Sequence, residues 1–529
     1  MQYSAIASTS LEDSLEQGEL QSVGGLTAKP RRSGDGLSKY TEPGKKRLKP
    51  NRIALILIGA TALIGTVWLS RGSEPKSWGT FRIDDSLDYV EPLDLSLVIH
   101  DPIKPQDYLS AQLKPEVRYI TSMSYGGHAN QFIGIQNLLY LGKLLNRVVI
   151  VPTLTPLHFQ GLPQDMSKFY DIERFYEETS IPLVELSTLK WWNFTTPPPV
   201  EPVTCWSVLE QVADGRNIND GSMAVHNIDV KYYPLPPLAR SSEEAKIWFE
   251  AFHKFDSNPW AKQQWIERVR AENLPHVEST DPEPKVDENQ LAPKPGFDVR
   301  NTEPPNEQLL CLDTTFFLGS RLFPPAYPLP VRTEPRRSYE GHGWIQAGQY
   351  LRFSTHLETL ADRYLERLFD VSNVIDIPPF ITCHIRRGDF AQARGLTSMD
   401  MYTSAVQRVR NELDWRIDNR DGWTGPGRGN ERYVEGIRGE NYAVVVATDE
   451  KPNSEFVKTL KEELGWLVID HDAEGTEKNL GAWYPPLIDS VILAKGQGFV
   501  GTEWSTFSYL AGLRVKYWNG GVEDWTPPL

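Results

Sequence analysis

The stretch Phe380-Ile381-Thr382-Cys383-His384-Ile385-Arg386-Arg387-Gly388-Asp389-Phe390 decides how this chain is read. Its first five residues form a short, mainly apolar run, which predicts a buried strand. The run breaks directly into two arginines, a glycine and an aspartate. A guanidinium at the carboxyl end of a strand is charged at any relevant pH and can grip a diphosphate through paired N–H donors. Asp389 is suited to orient one of the arginines, and His384 to bond a phosphate or ribose oxygen. The competing reading of Arg386 and Arg387 is a solvated turn paired to Asp389.

Working outward, the same rhythm continues. Tyr442 to Ala447, Trp466 to Ile469 and Phe499-Val500 read as strands, separated by helix-length segments such as Met399 to Leu413 and Glu455 to Leu464. Upstream, a strand from Val117 to Thr121, a glycine turn, an apolar helix from about Gln131 to Leu145 and the strand Val148-Val149-Ile150-Val151 make one βαβ unit. Two such blocks predict an α/β chain of two doubly wound, Rossmann-type lobes, residues 116–340 and 341–529. The natural ligand site of such lobes is the cleft at the carboxyl ends of the strands. A Pro-rich stretch at about 275–308 and a polar one at about 414–441 read as insertions.

Two more segments carry candidate chemistry. In Ser124-Tyr125-Gly126-Gly127-His128-Ala129-Asn130-Gln131, two glycines between strand and helix let backbone amides approach a phosphate, and the helix directs its positive end there. A glycine turn in that position is more often only a turn. The other runs from Asp489 through Gly501-Thr502-Glu503-Trp504-Ser505-Thr506-Phe507 into a helix from Ser508 to Leu513. Ser505 or Thr506 is typed as an N-cap, a role compatible with holding phosphate oxygens. Asp489 is a candidate acceptor for a guanine or ribose edge. Asp470-His471-Asp472 has the spelling of a metal-binding DxD triplet, but with Arg386 and Arg387 to neutralise a diphosphate it reads as a strand-end loop, and no metal or other cofactor is expected.

The chain has 529 residues and a formal net charge of −15, which suits about two domains and argues against a general nucleic-acid binder. Ile53 to Leu69 carries no charge and is just long enough to cross a thin bilayer as a helix over 53–70. Lys45, Lys46, Arg47, Lys49 and Arg52 precede it, so the positive-inside rule makes 1–52 a disordered cytosolic tail and 71–115 a lumenal stem. The rival, a cleaved signal peptide, normally starts close to the initiator Met. Of three cysteines, Cys383 lies in a strand and reads as a buried thiol, leaving Cys205 and Cys311 as a pair. Asn193-Phe194-Thr195 is a glycosylation sequon.

Taken together, the glycine turn with Leu144-Leu145-Asn146-Arg147 ahead of VVIVP, the HIRRGDF heptad and Asp489 spaced before Ser505-Thr506-Phe507 resemble the GDP-fucose protein O-fucosyltransferase family. More distantly they resemble α-1,6-fucosyltransferases and their bacterial chito-oligosaccharide relatives. The resemblance covers about 117–518 and implies a GT-B fold, GDP in the C-terminal lobe, inversion at the sugar and no metal. It implies that Arg386 stabilises the departing diphosphate and that Asn130 lines the sugar cleft. It further implies that His384, Asp489, Ser505, Thr506 and Phe507 hold the nucleotide. Some members place an acid in the glycine turn where this chain has Gly127, so His128 is the candidate base there, with late proton loss to phosphate or water as its rival. The expectation is a single-pass type II enzyme of the endoplasmic reticulum or Golgi that transfers fucose from GDP-fucose to a protein or glycan. A different GDP-sugar, or an inactive binding protein on the same fold, are the alternatives.

Overall fold

The structure is a computed structural model and describes residues 93–157, 159–193, 195–207, 221–234, 308–316, 341–393, 395–419, 427 and 437–527. The expected tail, membrane span and nearly all of the Pro-rich insertion lie outside the described residues. Among those described, no helix is long and apolar enough to cross a membrane.

The first sheet contains β1 (Tyr119–Ser122), β2 (Val148–Val151), β3 (Leu183–Glu185), β4 (Glu201–Ser207), β5 (Ile228–Pro234) and β6 (Leu309–Leu312), in the order β3-β2-β1-β6-β4-β5. Every pairing in it is parallel. Between β1 and β2 runs α1 (His128–Leu145), and α2 (Ile172–Thr179) precedes β3. The second part begins with α3 (Thr355–Leu368), followed by β7 (Phe380–Ile385), α4 (Met399–Asp418), β8 (Ala443–Thr448) and β9 (Leu467–Val468). It closes with α5 (Tyr484–Ala494), β10 (Gly498–Thr502), α6 (Thr506–Asn519) and β11 (Val522–Thr526), giving a second parallel sheet in the order β11-β10-β7-β8-β9. Parallel strands covered on both faces must be apolar on both, and β1, β2, β7 and β10 are buried along their whole length.

Helix α1 is buried on nearly every face, so its polar side chains need internal partners. Gln131 donates to the carbonyls of Gly126 and Thr155 at 2.9 and 2.6 Å and accepts from the Thr155 N–H at 2.9 Å. Gly142 is required by proximity: a Cβ there would meet Val149 Cγ2 at 2.2 Å. The helix starts at His128, earlier than the apolar pattern indicates, which moves His128 and Asn130 from the turn into the first helical turn. One apolar cluster joins Phe132 and Leu138 of α1 to Leu487 and Val491 of α5 and Leu510 and Leu513 of α6, so the two sheets share a core.

Two boundaries differ from expectation. Residues 93–113, read as stem, pack on the first sheet: Ile99, Leu109 and Leu113 are buried with Tyr119, Ile150 and Cys205. The Leu109 and Ser110 N–H groups donate to the Glu201 carboxylate at 2.6 and 3.0 Å. Apolar residues in irregular backbone leave no periodic trace, so only the tertiary fold reveals their burial. Helix α4 also runs into the segment read as a polar insertion, held there by Arg416, which donates to the Gly520 carbonyl at 2.9 Å.

Candidate functional site

Residues 386–388 leave the carboxyl end of β7 beside the end of β8, where Asp449 stands. Its carboxylate accepts the Arg387 and Gly388 N–H groups at 2.8 and 3.0 Å and pairs with Arg386 Nη1 at 3.1 Å. A Cβ on Gly388 would meet Asp449 Oδ2 at 2.7 Å, so the loop closes onto that carboxylate only because residue 388 lacks a side chain. Arg386 Nη2 reaches Asp389 at 2.9 Å, and the two side chains are 33% and 60% exposed. An ion pair this wet is weak, and Arg386 can trade Asp389 for another anion at little cost.

The structure divides the two arginines. Arg387 is turned away, with Nε 2.6 Å from Glu450 and its guanidinium 3.9 Å from the Phe456 ring centroid. The reading of Arg387 as a diphosphate ligand is corrected accordingly: it anchors the loop to β8 and the following helical turn.

The neighbouring strand β10 supplies the second wall. Thr502 Oγ1 accepts from the Arg386 N–H at 3.0 Å and donates to the His384 carbonyl at 3.1 Å. Ser508 Oγ accepts from the Thr502 N–H at 3.2 Å and lies 2.6 Å from His384 Nδ1. That contact commits Nδ1 to Ser508. Burial, with Arg386 nearby, pushes His384 down to about 3, so the ring is neutral and not a cation. Phe507 packs on it with ring centroids 4.8 Å apart. Ser505 is the N-cap of α6, accepting from the Ser508 N–H at 3.3 Å, so the positive end of a 14-residue helix opens beside Arg386.

The glycine turn of the first sheet meets this edge. Gly126 has φ +64°, and a Cβ there would lie 2.4 Å from Asn130 Nδ2. Gly127 is the N-cap position of α1 without a side-chain cap. Asn130 Oδ1 accepts from Thr506 Oγ1 at 2.6 Å, which brings the N-termini of α1 and α6 together across the boundary between the sheets. His128 lies at that boundary, edge-on to Trp483 with ring centroids 6.3 Å apart, but not in a place where a base could work. It is buried, its Nε2 lies 2.9 Å from the Tyr170 hydroxyl, and burial together with the Arg514 charge pushes it down to about 3. The reading of His128 as general base is corrected for that reason.

Asp489, on α5, is bonded to His471 Nε2 at 2.9 Å, and both side chains keep some exposure. His471 thereby takes part in the site's framework, while Asp470 caps the Ala473 N–H at 3.0 Å. Among the described residues no group of three or more His, Cys, Asp or Glu is arranged to hold a metal ion.

The sequence profile described as GDP-fucose protein O-fucosyltransferase matches residues 119–517. The chain belongs to that family. No curated protein matches the sequence. Among solved structures, POFUT1 in complex with GDP-fucose is similar at 12% identity and a TM-score of 0.41, covering 78% of this chain and 99% of that one. NodZ α-1,6-fucosyltransferase soaked with GDP-fucose is similar at 12% identity and a TM-score of 0.32, covering 76% and 93%. An Arabidopsis thaliana FUT1 variant in complex with GDP is similar at 14% identity and 0.34, covering 78% and 70%.

Within this O-fucosyltransferase family member, several residues that shape the site carry only a faint sequence signal. Asp449 and Glu450 are an acidic pair directly after an apolar strand, so their position at a carboxyl edge was readable, but their grip on the 386–388 loop was not. Thr502, Ser508 and Tyr402, whose hydroxyl is 2.8 Å from Thr502 Oγ1, are ordinary polar residues until folding collects them. Arg514, 1% exposed, is ringed by Phe132, Phe353 and Trp518 at 4.8, 4.5 and 5.5 Å, a buried cation that adds to burial in keeping His128 neutral. Cys205 and Cys311 are joined in a disulfide between β4 and β6, and Cys383 is a buried free thiol, its ionisation opposed by burial. Asn193 is exposed, its side chain accepting from the Thr195 N–H at 2.8 Å in a local turn.

Proposed function

We propose that this chain is an inverting fucosyltransferase that moves fucose from GDP-fucose to a protein or glycan acceptor in the secretory pathway. In this reading the two sheets are the two lobes of a GT-B-like enzyme. The observation that carries it is the convergence on one edge of the one-third-exposed Arg386 guanidinium, the N-terminus of α6 and the neutral His384 ring. As the bond from C1 to the β-phosphate oxygen breaks, negative charge grows on the diphosphate. Arg386 releases the solvated Asp389 and takes that charge, while Asp449 keeps its other amine and the loop in place. Donors fixed beforehand stabilise the transition state more than the ground state. The acceptor oxygen bonds to C1 from the opposite face and loses its proton late, to water or phosphate.

The chemistry assigned to the site calls for no metal, since Arg386 and backbone amides supply the positive field. The apolar run 53–70 anchors the enzyme as a single-pass type II protein of the endoplasmic reticulum or Golgi. The Cys205–Cys311 disulfide and the exposed Asn193 sequon support an oxidising lumen where Asn193 is glycosylated. Full-length protein in detergent, incubated with labelled GDP-fucose, EDTA and a secretory-pathway lysate, is expected to label an acceptor, and Arg386→Ala is expected not to. Equal labelling by the variant, or faster transfer from another GDP-sugar in the same assay, overturns the assignment.

A further inference from the structure

Asp489 is held by a chain of side chains that the transfer reaction itself does not use. Tyr364 on α3 is hydrogen bonded to the Thr476 hydroxyl, Thr476 Oγ1 is 3.1 Å from His471 Nδ1, and His471 Nε2 is 2.9 Å from Asp489 Oδ1. The chain works in either protonation state. With neutral imidazole, Tyr364 donates to Thr476, Thr476 donates to Nδ1, and the ring proton sits on Nε2 facing Asp489. With imidazolium, Nδ1–H donates to Thr476, Thr476 donates to Tyr364, and Nε2–H faces Asp489 again.

The loop that carries His471 is tied to α3 a second time by Arg367, 2.7 Å from Glu474. Burial opposes a charge on His471, but Asp489, Asp470 and Asp472 outweigh it and raise the imidazole above its ordinary value. A donor held this firmly fixes the rotation of the carboxylate it meets. One Asp489 oxygen has a lone pair committed to His471, and the remaining lone pairs stay available, with the side chain 17% exposed.

Placement gives this a purpose. His471 follows β9 and Arg386 follows β7 on the same carboxyl edge, with β8 between them. Two strand spacings make about 10 Å, a separation that an extended nucleotide bridges between its diphosphate and its base. We propose that His471, backed by Thr476 and Tyr364, is a positioning residue that aims Asp489 at the N–H donors of the donor's purine, so that guanine is selected by its full set of donors. This rests on the donor reading above.

The test uses GDP and inosine diphosphate, which lacks the exocyclic amine, titrated by calorimetry into the full-length protein and its variants. A hydrogen bond to a charged group is worth about tenfold or more in affinity, so the wild type is expected to prefer GDP by at least about tenfold. His471→Ala should cut that preference to about twofold, weakening GDP, which offers two N–H donors to Asp489, more than inosine diphosphate, which offers one. His471→Gln, which can donate from an equivalent position, should restore most of it, and Thr476→Val should lower it partway. A merely structural role would weaken both nucleotides alike, and that result, or an unchanged preference in His471→Ala, overturns the proposal. If the wild type binds neither nucleotide, the donor reading fails first and takes this one with it.

Discussion

The turn after β1 and the loop after β7 occupy equivalent places, each at the carboxyl edge of a parallel sheet, yet they are built from opposite materials. The first carries no ionised side chain and leads into a buried helix start: His128 is 7% exposed, and Asn130 spends its carbonyl on Thr506. The second is charged and wet, with Arg386 one-third exposed between Asp389 and Asp449. A helix N-terminus contributes only a fraction of a charge, so the proposed hold on a diphosphate through bond breaking needs a full cation on one side. The other side then serves as a shaped wall. Under the proposed function, the two sheets divide the work, with charge stabilisation in the second and shape in the first.

The widest gap is expected between Arg386→Ala and His128→Gln. Loss of the cation should lower turnover of GDP-fucose by about two to three orders of magnitude without lowering Tm. His128→Gln should stay within about tenfold of wild type and keep its pH–rate profile. Comparable losses in the two variants would erase the contrast.

Next in size is the staple of the first sheet. Cys205→Ser should cost about 2–5 kcal/mol of stability, read from urea unfolding, whereas Cys383→Ala in the second sheet removes no cross-link. Acid should then act through the buried histidines. His128 and His384 sit near 3 in the folded chain and at about 6.5 when unfolded. The unfolded state therefore binds the extra protons, and stability falls as pH drops from about 6.5 toward 3, by about 1.4 kcal/mol per pH unit for each ring. His471 has the opposite sign: its raised value adds stability that is present at low pH and lost as pH rises through its folded pKa. Tm measured across pH 4–8 in His128→Gln and His471→Gln checks both slopes.

The smallest effect sharpens the comparison inside the second loop. Arg387→Ala should cost about 1 kcal/mol of stability through the lost Glu450 pair and Phe456 contact, and should lower turnover far less than Arg386→Ala. Thermal melts beside turnover assays separate the two arginines.

Much of this organisation was legible along the chain. Apolar runs of strand length bounded by turn residues marked β1, β2, β7, β8 and β10, because strands buried on both faces must be apolar throughout. The arginine pair, an N-cap at Ser505 or Thr506 and the Cys205–Cys311 pair were readable from residue type and context. β3 to β6 were not, since their short runs lie among proline-rich and polar segments whose patterns resemble loops. The packing of residues 93–113 was hidden for the same reason.

Residue type and local pattern were sufficient for the α/β class, the charged loop after β7 and the helix end at Ser505, because propensity, capping and charge act over a few residues. The fates of individual side chains were settled on folding. That Arg386 stays one-third exposed between Asp389 and Asp449 while Arg387 is locked to Glu450, that His128 is buried beside Arg514, and that Asp489 is clasped by His471 depend on partners brought together by the fold. The Asn130–Thr506 bond spans 376 positions, and no local preference can encode a contact whose formation waits on two sheets sharing one core.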